Sequence, residues 1–252
     1  MSRRMQREGA QIEHAARTRR SFLTGGLAAL GGTAAFRWIS GSRSEGEIPG
    51  PLRRSLELQE RLTQAYFRPD RLVREFPISA ARMPRVNGDI GLDDEDAEPD
   101  WRLQVKGIAA GGGAASLRMA DILRLPKVEF VTELKCVEGW SRPVRWGGVR
   151  LRDFAQRYRP ADGRAESYVG LRTPDGEYYV GVDLPSAMHP QTLLCYEMDG
   201  RPLTPEHGAP LRLVIPIKYG IKNLKRIGEM EFTTTRPPDY WAERGYDYYS
   251  GF

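Results

Sequence analysis

The fold of this chain is decided around residues 128–141, which read VEFVTELKCVEGWS. Every second side chain along the first half is suited to a buried sheet face, and this period of two predicts a β-strand. The residues in that pattern are Val128, Phe130, Thr132 and Leu134. The strand runs directly into Cys136, so the sequence predicts a thiol just beyond a strand end.

Short predicted strands separated by turn-forming residues continue on both sides of this segment. Further strands are predicted at Trp101–Val105, Tyr178–Val182, Thr192–Met198, Leu211–Ile215 and Ile227–Phe232, and short helices at Met119–Leu123 and Leu151–Tyr158. No fixed-period repeat is visible. We therefore expect one β-rich α+β domain over residues 101–252.

Composition excludes several protein classes. The chain has 252 residues and a mean hydropathy of −0.52, which excludes a polytopic membrane protein. Its 27 Gly and 18 Pro indicate many turns and loops and argue against a long helical bundle. Two cysteines are too few for a disulfide scaffold or a four-cysteine zinc site.

The basic character of the chain is confined to its first forty residues. Residues 1–40 contain seven Arg and two Glu, a net charge of +5, which equals the net charge of the whole chain. Residues 41–252 are therefore neutral overall. A neutral body offers little of the counterion release that drives nucleic-acid binding, so we exclude nucleic acid as a partner.

Residues 1–40 have the layout of a twin-arginine export signal. Arg19 and Arg20 directly precede Phe22-Leu23, and an uncharged, Gly- and Ala-rich run extends from Ser21 to Phe36. That run is shorter than the roughly 20 apolar residues of a membrane-spanning helix. We expect export through the twin-arginine translocon to the periplasm or another extracytoplasmic space, with removal of the segment or its retention as an anchor left open.

Residues 41–100 are predicted to be a linker, a helix and an acidic loop. Gly41–Pro51 is polar, and Ser55–Phe67 has the apolar spacing of a surface helix that ends before Pro69. Asp89–Asp100 contains seven acidic residues and no basic one. It lacks the ligand alternation and closing Glu of a calcium loop, so a solvated loop is favoured.

Two stretches contain residues that could support chemistry. Cys136 and Cys195 are open to three interpretations: buried small side chains, a disulfide in an exported protein, or a reactive thiol at Cys136. His207–Ile227 combines one His, one Arg and several Lys with a Gly-containing loop between strands. Such a loop suits a phosphate-bearing ligand, and composition leaves a solvated basic loop as an equal alternative.

Several motifs in the same order resemble the sulfite oxidase family. The matching segments are Cys136–Ser141, Trp146–Val149, Ala187–Pro190, Tyr196–Gly200, His207–Ile227, Pro237–Trp241 and Gly245–Phe252. The short bacterial branch, which includes periplasmic methionine-sulfoxide reductase catalytic subunits, is the most similar in shape. The resemblance implies a β-rich, mixed-sheet α+β molybdopterin-binding fold. It also implies one domain without the C-terminal immunoglobulin-like dimerisation domain of sulfite oxidases.

The resemblance implies a cofactor and a set of site residues. The cofactor is Mo-molybdopterin, with one pterin and one metal, and Cys136 is its metal ligand; a soft thiolate suits such a metal. The matching cofactor-binding positions are Thr173, His207, Arg212, Asn223, Leu224 and Lys225. Of these, Arg212 and Lys225 would neutralise the cofactor phosphate. Tyr249 matches a tyrosine near the metal and is a second candidate catalytic residue.

The implied activity is two-electron oxygen-atom transfer, most simply reduction of a sulfoxide or a similar small oxo-compound. Sulfite oxidation is an alternative that His207 supports. The Arg-Asn-His and Asn-rich runs that bind pterin and anions in the family are absent around Phe76–Pro84. No haem motif is present, so an external electron carrier is expected, a cytochrome or a membrane quinol-linked subunit. A metal-free exported binding or assembly protein is the alternative from a different class.

Overall fold

A computed structural model describes residues 3–45, 48–92, 100–108, 113–158 and 166–251. Chain contacts divide it into two compact units, Met1–Ser55 and Leu56–Phe252. Most of the predicted acidic loop, residues 93–99, lies outside the described residues. The predicted boundaries of the export segment and of the 101–252 domain stay predictions.

The first unit contains a long helix and a short hairpin. Helix α1 (Arg3–Ser40) includes the whole twin-arginine segment, and β1 (Ser44–Glu45) pairs antiparallel with β2 (Ile48–Pro49). The stretch predicted as a linker therefore contains a hairpin. Helix α2 (Gly50–Tyr66) follows and begins five residues before the predicted Ser55. Among the described residues, no helix combines the length and hydropathy needed to cross a bilayer.

The second unit contains two five-stranded sheets. The first has the order β10-β9-β6-β5, with β11 also paired to β9, and all its pairs are antiparallel. Its strands are β5 (Lys127–Lys135), β6 (Ser141–Arg150), β9 (Leu193–Met198), β10 (Arg201–Pro202) and β11 (Arg212–Val214).

The second sheet is mixed and has the order β4-β3-β12-β7-β8. Strands β3 and β12 are parallel, and the other pairs are antiparallel. Its strands are β3 (Leu103–Lys106), β4 (Ala114–Leu117), β7 (Tyr168–Arg172), β8 (Tyr179–Asp183) and β12 (Glu229–Thr233). The helices are α3 (Met119–Ile122), α4 (Leu151–Tyr158), α5 (Leu184–Ala187) and α6 (Tyr240–Glu243). The expected β-rich, mixed α+β architecture is confirmed.

The main core lies where the two sheets and α4 bury their apolar faces. Strands β3, β7, β8 and β12 contribute alternate residues such as Leu103, Val169 and Met230, all fully buried. Leu194 and Leu213 contribute from the first sheet, and Phe154 from α4. This continuous apolar contact holds the loops at the sheet ends in fixed positions.

The hairpin of β5 and β6 presents the cysteine segment. Its register is continuous from Lys127 opposite Val149 to Lys135 opposite Ser141. The turn is closed by the Cys136 amide, which donates to the Trp140 carbonyl at 2.9 Å. Cys136 therefore lies at the first position of a tight loop between two long strands, as the alternation before it predicted.

Strand β6 is the longest strand and was not predicted. It contains Pro143, Gly147 and Gly148, which sequence rules treat as strand breakers. The structure tolerates the glycines because β6 pairs with β9 through a register shift between Gly147 and Gly148. Strands β4 and β7 were also missed, whereas α4 has the predicted bounds.

Gly148 provides a test of this close strand packing. A Cβ at Gly148 would lie 2.7 Å from the Cys195 Cα and against the Leu194 carbonyl, which are backbone atoms that cannot move aside. We expect Gly148→Ala to lower the free energy of unfolding by about 2–3 kcal/mol in urea denaturation. At Gly147 a Cβ would meet side-chain atoms of Glu197 and Lys127 at 3.1–3.3 Å, so Gly147→Ala is the milder control. Equal losses in both variants would contradict the backbone argument.

Candidate functional site

One cavity brings together most of the predicted site residues. It has a volume of about 240 Å³ and lies where loops from both sheets of the second unit meet. Five of the residues predicted for the site line it: Cys136, His207, Arg212, Asn223 and Lys225. Thr173, Leu224 and Tyr249 are not among its lining residues.

Cys136 lines the cavity as a half-buried free thiol. The Asn87 side-chain amide donates to its Sγ at 3.6 Å. Gly220 lies against it from the other side, since a Cβ there would be 3.8 Å from the Cys136 Cα. Cys195 is also free and is fully buried in β9, where burial raises the pKa of its thiol to about 11. The two cysteines therefore form no disulfide in this structure.

Arg212 is the most buried cation of the cavity. Its guanidinium donates to the His207 carbonyl at 3.0 Å and to the Asn223 carbonyl at 3.3 Å, and stacks 5.1 Å from the Trp146 ring centroid. Burial lowers its pKa to about 10. Its Nε is buried and has no hydrogen-bond partner among the described residues. A buried donor of this kind is costly unless an acceptor reaches it.

Lys225 adds positive charge to the cavity that Arg212 lines, and His207 lines the same cavity. The Lys225 ammonium donates to the Asn87 and Gly88 carbonyls, both at 2.8 Å. Burial, followed by the nearby Arg212 charge, lowers the pKa of Lys225 to about 8. The same causes lower the pKa of His207. Within the described parts of the chain, no carboxylate forms a salt bridge with Arg212 or Lys225, so their charge favours an anion in the cavity.

The side chains of the remaining predicted cofactor-binding residues contact other parts of the protein. Asn223 lines it but uses its side chain to fix the loop, accepting from the Ile215 amide at 2.9 Å and donating to the Tyr219 carbonyl at 3.1 Å. Leu224 is fully buried in the core. The Thr173 hydroxyl donates to Asp175 at 2.5 Å and accepts from the Tyr178 amide at 3.1 Å.

Tyr249 lies away from the cavity. Its ring is almost fully buried and lies 2.8 Å from the Lys218 ammonium, which also pairs with Asp183 at 3.1 Å. Burial raises the pKa of Tyr249 to about 12. The structure therefore places this tyrosine at a buried lysine, and its role at a metal stays a prediction.

The segment from Pro84 to Ile90 was missed by sequence reasoning. Residues from this segment line the cavity, and Asn87 contacts both Cys136 and Lys225. The chain leading to it is pinned to the β5–β6 hairpin: the Phe76 amide donates to the Val131 carbonyl and the Arg82 amide to the Pro143 carbonyl, both at 2.9 Å. The only sequence signal was the turn-forming Asn87-Gly88 pair. Asn87 therefore provides a polar contact upstream of Trp101, where the absence of the family's Arg-Asn-His and Asn-rich runs removes some of the expected contacts.

The arrangement suits a large anionic cofactor with a soft metal. A thiol side chain faces a cavity whose buried end holds two cations and an unpaired guanidinium donor, which are the donors that a phosphate accepts from. Within the described ranges, no group of three or more His, Cys, Asp or Glu residues could hold a metal ion.

Comparisons with known proteins relate the chain to oxidoreductases that have a molybdopterin-binding domain. A family model described as an oxidoreductase molybdopterin binding domain matches residues 89–241. The putative protein-methionine-sulfoxide reductase subunit YedZ1 of Azospira oryzae is 37% identical over 188 residues, covering 73% of this chain and 70% of that protein. The protein-methionine-sulfoxide reductase catalytic subunit MsrP of Xanthomonas campestris pv. campestris is 35% identical over 156 residues, 57% of this chain.

The chain spans only 48% of the length of the Xanthomonas protein. Among solved structures, the sulfane dehydrogenase SoxCD of Paracoccus pantotrophus covers 67% of this chain and 46% of its own, at 15% identity and a TM-score of 0.47. The family model matches more than half of the chain and includes the β5–β6 hairpin, Arg212 and Lys225, and ends at Trp241 in helix α6. The chain belongs to the oxidoreductase family with a sulfite oxidase-like molybdopterin-binding domain.

Proposed function

We propose that this protein is an exported molybdenum-cofactor oxidoreductase that reduces a sulfoxide or a similar small oxo-compound. The observation that carries the proposal is the cavity that joins the Cys136 thiol to the Arg212 and Lys225 cations. The names of the two curated relatives, both assigned to protein-methionine-sulfoxide reduction, support a sulfoxide as the substrate. One pterin and one metal per chain is the stoichiometry we propose.

Different residues of the cavity would bind the metal and the phosphate of the cofactor. Cys136 would ligate the metal, while Arg212 and Lys225 would bind the phosphate and His207 and Asn223 would line its path. The bound cofactor supplies the two-electron oxygen-atom transfer. The protein contributes position and electrostatics: the hairpin fixes the sulfur, the buried cations compensate the negative charge, and Asn87 donates to the sulfur at 3.6 Å.

The location and electron supply are parts of the same proposal. The twin-arginine motif at Arg19 and Arg20 supports export of the folded protein through the twin-arginine translocon. The word subunit in the relatives' names supports an external electron donor, a cytochrome or a membrane quinol-linked protein. We propose a periplasmic protein that receives electrons from such a partner.

Metal content of matched cysteine variants tests the proposal most directly. Protein made in a host that synthesises molybdopterin should contain about one molybdenum per chain. Cys136→Ser should lose the metal and lower viologen-linked sulfoxide reduction at least about 100-fold, because the soft ligand is gone. Cys195→Ser is the matched control and should retain metal, since Cys195 lies in the core and does not line the cavity. A wild-type protein free of molybdenum would support the metal-free binding protein.

Sulfite oxidation is tested with the same holoenzyme. Sulfite-dependent reduction of cytochrome c is compared with sulfoxide-dependent oxidation of reduced viologen. Faster turnover of sulfite than of any sulfoxide would replace the proposed substrate and retain the cofactor assignment. A signal that persists in Cys136→Ser would refute both activities.

Cofactor retention should depend on pH through Lys225. Its pKa is lowered to about 8 in the structure, and a bound phosphate favours its charged form and so raises that pKa. The bound protein then keeps a proton that the free protein loses as the pH rises through 8. Affinity should be full below pH 8 and fall by up to about tenfold per pH unit above it. Pterin released on filtration at pH 7 and pH 9.5 measures this.

Lys225→Arg is the control for the pH effect. Arginine stays charged across this range, so the variant should retain cofactor with little dependence on pH. An unchanged pH profile in Lys225→Arg would assign the effect to another group.

A further inference from the structure

The cavity has a buried polar end and an open rim, where aromatic side chains lie beside the charged Arg85 and Glu138. Its polar end is formed by His207, Arg212 and Asn223, each no more than 5% exposed. At the rim, Val137 and Tyr246 are 38% and 39% exposed. Trp140 and Trp241 line the cavity and are half-buried, so they add two aromatic surfaces next to the rim.

Helix α6 holds Trp241 in one position. The Asp239 carboxylate caps the helix by accepting from the Ala242 amide at 3.0 Å, and it also accepts from the Gly181 amide at 3.1 Å. The same carboxylate forms a buried ion pair with Lys222. Because the cap is joined to a strand and to a second loop, α6 cannot shift without breaking buried charged hydrogen bonds.

The indole ring itself packs against two tyrosine rings. Tyr240 packs edge-on with its ring centroid 5.3 Å from that of Trp241, and the Tyr178 ring lies 5.3 Å from the Tyr240 ring. The Tyr178 hydroxyl donates to the Ile221 carbonyl at 2.5 Å, which anchors this cluster to the loop after β11. Tyr246 also packs edge-on, with its ring centroid 5.1 Å from that of Trp241. Trp241 thus presents a preorganised aromatic surface.

We propose that Trp241 is the residue that selects substrates by the apolar group next to the reacting oxygen, and that Tyr240 positions its ring. The inference rests on the proposed function and extends it to substrate choice. Aromatic faces bind thioether and aryl groups favourably, and a rigid ring loses little conformational entropy on binding. A small sulfoxide without such a group gains little from this contact.

Steady-state kinetics of the holoenzyme with two sulfoxides tests this role. Methyl phenyl sulfoxide has an aryl group, and dimethyl sulfoxide does not. Trp241→Ala should raise KM for methyl phenyl sulfoxide about tenfold and KM for dimethyl sulfoxide less than about threefold, at unchanged kcat and molybdenum content. Trp241→Phe, which retains an aromatic face, should give an intermediate KM for the aryl substrate.

Two further variants separate selection from helix stability. Glu243 lies on the same helix, and its carboxylate accepts a hydrogen bond from the Tyr179 hydroxyl outside the cavity. Glu243→Ala should therefore leave both KM values at wild-type levels. Tyr240→Leu keeps an apolar side chain outside the cavity but loses the ring that packs edge-on against the indole. It should therefore shift the KM ratio in the same direction as Trp241→Ala, by a smaller factor.

The outcomes distinguish this inference from the proposed function. If the metal-loaded wild type reduces neither sulfoxide, the proposed function fails and the inference fails with it. If it reduces both, and Trp241→Ala and Trp241→Phe change the two KM values by the same factor or leave them unchanged, only the inference is overturned. Loss of molybdenum from both Trp241 variants would instead make Trp241 a cofactor contact and also overturn it.

Discussion

The buried guanidinium of Arg212 is the group on which the rest of the site depends. Two backbone carbonyls satisfy part of it, and its Nε has no hydrogen-bond partner among the described residues. Removing a cation from water without a counter-ion costs several kcal/mol, and repulsion from the Lys225 charge adds to that cost. An anion bound at Arg212 would offset this cost. The unpaired charge of Arg212 in β11 therefore favours the binding of an anion such as a phosphate.

The fold delivers these groups from segments that are far apart in the chain. The β5–β6 hairpin brings Cys136, the loop after β11 brings Asn223 and Lys225, and a segment pinned along the hairpin brings Asn87. The Lys225 ammonium bonds two carbonyls of that last segment, which contacts Cys136 in turn. Cys136 and Lys225, which we propose as a metal ligand and a phosphate-binding cation, are thus joined through Asn87 by hydrogen bonds.

The sequence predicted those elements whose structure follows from the local pattern of apolar and polar residues. The period of two before Cys136 and the amphipathic spacing of α4 were sufficient for those elements. Strand β6 could not be predicted, because its Pro143 and adjacent glycines are stabilised only by pairing on both edges with β5 and β9. Asn87 was missed for a similar reason: nothing in its neighbours shows that the segment folds back onto a hairpin about fifty residues later.

The buried Lys222–Asp239 ion pair fixes two segments of the cavity lining relative to each other. A buried ion pair adds little net stability relative to apolar packing, but losing either partner leaves an uncompensated buried charge. Lys222 lies in the loop of Asn223, and Asp239 caps the helix of Trp241. The pair therefore penalises any state in which the Asn223 loop and helix α6 move apart. Its contribution is to hold the buried polar end of the cavity and its aromatic rim in one fixed arrangement.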